Sequence, residues 1–308
     1  LNIASLKDVL GDMTLTNLLI EELDLSQINF NGNTLTLQCK QLNKIVGSET
    51  FNGSLFLLPK DCRLTEFTLE GISNIQGDFQ CIDYFYVKEF VMPFIRVAGD
   101  MTIALNSGSV NTAAEIEFPK LQEIGGTLTL GTNRNANNIT FPLLKKILGS
   151  CSVTTYKLKN DIEFTNLESI GTDGADAQIK FEIEATNILC PKLKTINGKF
   201  DIATSSFMFD MEVDKVSYPN VESISENLSI TCPYSDFGSN GILSIDFSGL
   251  KSAKGISISG QGDVTDFSSF KYLFENNVLT GESQWSVKEC GYNPTFQEMK
   301  DGKYKLAE

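Results

Sequence analysis

The 308 residues carry 39 acidic and 25 basic side chains, a net charge of -14, and no histidine. Such a surface repels phosphate backbones and anionic headgroups, which makes nucleic acid and polybasic membrane docking poor hypotheses. Without an imidazole, Ser-His-Asp and Cys-His nucleophiles and His-ligated zinc fall away too.

In chain order, residues 1–36 fit no repeat and are expected to form an N-terminal cap. Apolar residues at i, i+3 or i+4 spacing in Ser5–Leu10 and Asn17–Leu23 predict short helices there. A repeat begins at Leu37. Its template is a short strand, an apolar corner, a glycine turn and a second short strand. Residues 116–130 show it best: Ile116-x-Phe118-Pro119, Leu121, Ile124, Gly126, Leu128-x-Leu130. Nine passes are traceable. Their anchor positions 39, 69, 92, 118, 141, 164, 190, 218 and 247 lie 23 to 30 residues apart. That period signals a solenoid or propeller. Two period-2 pairs per pass, with no helical stretch between them, predict short strands stacked as parallel sheets.

The inward slots of the second strand support this. Leu55, Phe79, Met101, Leu128, Cys151, Ile179, Phe200, Leu228 and Ile256 form one apolar column. Residues 57, 81, 103, 130, 153, 181, 202, 230 and 258 form the next. Phe118, Phe141, Phe164, Tyr218 and Phe247 make a third, aromatic one. The repeat occupies residues 37–262. Residues 263–308 form a C-terminal cap, with Asp266 capping a helix over 267–276, a strand at 283–288 around Trp285 and a short helix after Asn293-Pro294. The whole is read as a single structural domain.

Seven cysteines, an odd number without a C-x-x-C pair, argue against a disulfide framework or a zinc ribbon. Cys39, Cys81, Cys151 and Cys190 sit in apolar slots and read as buried free thiols. No run of about 18 apolar residues occurs, so no transmembrane span is expected. The chain opens at Leu1 rather than Met, so a removed signal peptide or a lipid anchor outside the chain fits the sequence.

The repeated F-P-x-L-x-x-I-x-G-x-L-x-L resembles the receptor L-domain and its relatives in fungal cell-wall glycoproteins, over about residues 37–258. The fold implied is all-β dominated: a right-handed, leucine-rich-repeat-type parallel β-solenoid of about nine coils with small helical caps. Tyr292–Met299, followed by Asp301-Gly302-Lys303-Tyr304, resembles the tail of secreted or lipid-anchored surface proteins of gut bacteria. The resemblance implies a non-catalytic recognition or adhesion module, extracellular or on a bacterial outer surface, with a glycan or protein ligand. It transfers no ligand residue and implies no cofactor. The rival readings are a polysaccharide lyase or hydrolase of the β-helix type and a purely structural surface protein.

Candidate binding residues lie where the coils depart from the template. Phe207, Phe209 and Asp210 belong to the stretch 203–215, Tyr234 and Phe237 to 231–244, and Tyr84 and Tyr86 to 82–89. Aromatics among carboxylates suit sugar stacking or a protein partner, or else fold back over the core. The outward row of the second strand, which includes Thr102, Thr129, Ser152, Ser229 and Ser257, suits a glycan but also suits any exposed strand. Asp78 and Asp100 hold the same slot in adjacent coils. They are a weak calcium candidate, set against two solvated turn residues.

Overall fold

The structure, a computed structural model, describes residues 5–58, 67–82, 89–104, 114–131, 136–154, 160–174, 176–183, 187–204, 215–232, 242, 244–262 and 264–307. It is a parallel β-solenoid of about eight turns. Three walls run along its axis. The long wall is a twelve-stranded sheet from Met13–Thr16 to Trp285–Cys290. The corner wall is an eight-stranded sheet of two-residue strands such as Glu123–Ile124. The third wall is assembled from three shorter sheets, the largest running from Glu89–Val91 to Ile188–Leu189.

No strand here is long enough to be stable alone. Stability comes from stacking equivalent residues of successive turns. The two inward columns of the long wall pair in register throughout, as in Leu55 with Phe79, Met101 with Leu128, and Cys151 with Ile179. Every residue in these columns is buried. The aromatic column forms as well. Phe118 and Phe141 lie 4.9 Å apart with parallel rings, and Phe141 and Phe164 lie 5.0 Å apart. Those separations match the inter-strand spacing of about 4.8 Å, so each ring stacks on the same ring one turn away.

The core keeps its volume when one column changes size. Next along from Phe164 the aromatic column shrinks to Cys190, which follows from the pairing of Ile162 with Ile188. The long wall compensates there: small Cys151 and Val153 give way to Phe181 and Phe200. These rings meet edge-on at 5.2 Å, and Phe200 reaches Tyr218 at 5.4 Å. Constant fill per turn is what close packing requires.

The N-terminal expectation is overturned. Residues 5–10 and 17–23 form no helix. Asn17 has a left-handed φ of 55°, which breaks any helix at that point. Met13–Thr16 is instead a strand in register with Leu35 and Leu37, and Glu22–Asp24 pairs with Lys44–Val46. Alternation of Met13 and Leu15 with threonines outweighs the sparse helical spacing, because it matches the columns already present. The first traced pass shifts accordingly. Leu37 lies in the long wall beside Leu57, and Ile45, not Cys39, pairs with Leu69. Phe51 supplies the first corner, beside Ile75. At the other end the ninth corner is reduced to a bridge between Ser223 and Ser252.

The C-terminal expectation holds in outline. The Asp266 carboxylate accepts the Ser268 N–H at 2.7 Å, opening a 3-10 turn over Ser268–Phe270 and a helix over Lys271–Glu275. Trp285–Cys290 is the strand. Phe296–Lys300 is the last helix, held by a Thr295–Glu298 capping box. No helix of the described residues is long and apolar enough to cross a membrane.

Candidate functional site

Tyr84, Tyr86, Phe207, Phe209, Asp210, Tyr234 and Phe237 all lie outside the described residues. Among residues that are described, the solenoid offers three walls of different chemistry.

The long wall carries the outward row. Pairing runs unbroken from Thr14 through Thr36, Phe56, Gln80, Thr102, Thr129, Ser152, Lys180, Asp201, Ser229 and Ser257 to Ser286. The row is longer than sequence reasoning gave it, because Thr14, Thr36 and Ser286 sit in segments assigned to caps. Their signal was period-2 alternation, visible at Met13-Thr14-Leu15-Thr16 once a column exists to dock on. Two segments can be told apart along the row. Near its centre, Lys180 bonds Glu182 at 2.5 Å and Lys199 bonds Asp201 at 2.9 Å. Glu182 also accepts the Thr154 hydroxyl at 2.9 Å. The Lys180 hydrogen bond, with help from Thr154, holds the Glu182 carboxyl below its ordinary range despite partial burial. These charges satisfy each other. Toward the N-terminal end the row reads Thr36, Phe56, Gln80, Thr102, Thr129, half-buried, with no ionic group and one outward aromatic ring.

Asp78 and Asp100 sit just before long-wall strands, and each has a structural task. The Asp78 carboxylate accepts the Asp100 backbone N–H at 2.8 Å, and that of Asp100 accepts the Thr127 N–H at 2.7 Å. The Asp12 carboxylate and the Ser54 and Ser150 hydroxyls play the same part for Thr34, Asp78 and Gln178. Side-chain oxygen in one turn thus caps backbone in the next. The glycine turn makes room for it: a Cβ on Gly99 would lie 2.1 Å from the Asp78 Oδ1, and one on Gly126 2.2 Å from the Asp100 Oδ1. Among the described residues no group of three or more acidic or thiol side chains is placed to hold a metal ion.

Cys39, Cys151 and Cys190 are free thiols and buried, and Cys81 is buried in the same core. Burial pushes the Cys151 and Cys190 thiols far up, so both stay protonated and unreactive.

The third wall is interrupted between Ile188–Leu189 and Lys215–Ser217, which do not pair. Tyr218 stands at the break. Its buried hydroxyl donates to the Ile188 carbonyl at 3.0 Å, serving an acceptor at the edge where the ladder stops. Burial holds this phenol well above its usual range, so it remains a donor. A cleft of about 160 Å³ opens beside it, lined by Ile183, Asn187, Leu189 and Lys215 among others.

The corner wall carries charge in rows. Lys145, Glu168, Lys194, Glu222 and Lys251 alternate in sign from turn to turn, linked by backbone hydrogen bonds. Lys251 pairs with Glu222 at 2.8 Å, and Lys254 pairs with Glu226.

The fold and surface define a class of architecture, a parallel β-solenoid with a hydroxyl-bearing wall. The chain matches no protein-family model, no curated protein and no solved structure.

Proposed function

We propose that this chain is a non-catalytic recognition module of the leucine-rich, receptor L-domain type, working outside the cell or on its surface. Its ligand is an extended glycan that runs along the solenoid axis over the long wall. One observation carries the reading: the in-register outward row from Thr36 to Thr129, with Phe56 set among hydroxyl and amide groups. Strands repeat about every 4.8 Å, so the row offers polar groups at intervals comparable to one sugar unit. Phe56 supplies an apolar ring face for the C–H face of a pyranose, and the flanking hydroxyls and the Gln80 amide supply donors and acceptors. Groups fixed by a sheet lose little freedom on binding, which favours a weak but length-dependent grip.

A glycan array tests this. The wild type is expected to retain linear oligosaccharides, and the Phe56→Ala variant to lose them while keeping its circular dichroism. A protein partner captured with no glycan signal, or turnover of a bound glycan, would remove the reading.

A further inference from the structure

On the corner wall a second site is assembled from three successive turns. Arg96, Glu123 and Lys146 pair in register, and Ile95, Gln122 and Lys145 form the neighbouring row. Together these six residues line an open depression of about 260 Å³. Its basic chemistry contrasts with the net charge of -14. The Arg96 Nε donates to the Glu123 carboxylate at 2.9 Å, so this pair is locally neutral and Arg96 is fixed in place. That bond uses only Nε, and the other guanidinium N–H donors are not committed to it. Lys145 and Lys146 are exposed and form no ion pair among the described residues. Glu168, next in the Lys145 row, makes none with it either. Farther along the same wall the pattern differs, for Lys251 is tied to Glu222 and Lys254 to Glu226. Ile95 is 37 % exposed and gives the depression one apolar flank.

We propose that this depression binds a carboxylate-bearing sugar, a uronate within an oligosaccharide. Two ammonium groups and a braced guanidinium answer one carboxylate, the Gln122 amide answers a ring hydroxyl, and Ile95 takes the C–H face. The net charge of -14 opposes long polyanions. A single carboxylate is different, because screening over about 8 to 10 Å confines the interaction to the local basic groups. The site lies on another wall from the Phe56 row. The proposal rests on the glycan reading, yet it can fail alone.

Isothermal titration with a trigalacturonate, a neutral galactose trimer and a sulfated trimer tests it, in Phe56→Ala, which lacks the long-wall ring, and in that variant with Lys145→Glu or Lys146→Glu added. Both lysines are exposed, so the charge reversals leave the core untouched. The expected result is binding of the uronate trimer that weakens with salt and drops about tenfold or more on each lysine change. Equal binding of the neutral trimer, tighter binding of the sulfated one, indifference to both lysine changes, or no uronate binding would each overturn the carboxylate assignment. Retention of neutral glycans by the Phe56 row in that last case leaves the broader reading intact.

Discussion

The two ends of the solenoid solve one problem in opposite ways. A stack of turns exposes an apolar cross-section at each end. At the C-terminal end the cover is aromatic. Phe267, Phe270, Phe274 and Met299 are buried, and Trp285 is only 5 % exposed. Phe270 and Phe274 meet the indole at 5.7 and 5.1 Å, and its Nε1–H donates to the Pro294 carbonyl at 2.8 Å. At the N-terminal end the described residues offer no such lid. Leu10 is 91 % exposed and Leu19 80 %, while Leu6, Met13, Leu18 and Ile20 pack only partly on the core. Among the described residues both terminal long-wall strands, Met13–Thr16 and Trp285–Cys290, have a neighbour on one side alone, so the ends differ in the side chains that cover them. The lesson is that local alternation suffices to add a turn, whereas closing the stack takes large side chains with a satisfied polar edge.

Four substitutions break or sharpen this contrast. The largest effect falls on the closed end. Trp285→Ala is expected to cost about 3 to 5 kcal/mol in urea unfolding. It should also raise hydrogen exchange in Gly255–Gly262, the strand on which Trp285 stacks. Tyr218→Phe comes next, at about 1 to 3 kcal/mol, because the Ile188 carbonyl then loses its buried donor. Unfolding with and without this single hydroxyl measures what the broken ladder needs. Asp100→Ala removes one bond between turns at an exposed carboxylate and is expected to cost roughly 0.5 to 1.5 kcal/mol, read from the same denaturation curves. Leu19→Ser, at the open end, should change stability by no more than about 0.5 kcal/mol and should lower self-association in analytical ultracentrifugation. A loss from Leu19→Ser as large as that from Trp285→Ala would erase the contrast.

The interior was legible in the sequence wherever identical slots recur. Phe118, Phe141 and Phe164 announce their column, and Leu128, Cys151 and Ile179 theirs, because a buried stack tolerates only apolar side chains and spacing preserves their phase. The first turn is the exception, for a related reason. Leu37-Gln-Cys39 and Leu128-Thr-Leu130 share a period of two, and alternation alone does not say which wall a pair joins. Only the pairing of Ile45 with Leu69 decides it. Asp78 and Asp100 were visible as a repeated slot, but their role depends on a backbone N–H of the next turn, which spacing does not locate. The basic depression is not legible in the sequence, because its residues come from three turns, none unusual by itself.

The most direct test of glycan recognition along the long wall is a length series. Neutral linear oligosaccharides of two to eight units would be titrated against the wild type and Phe56→Ala. The account predicts affinity that climbs with each added sugar until the row is spanned and falls to the shortest-ligand level in the variant. Affinity independent of length, or undiminished by Phe56→Ala, would contradict it.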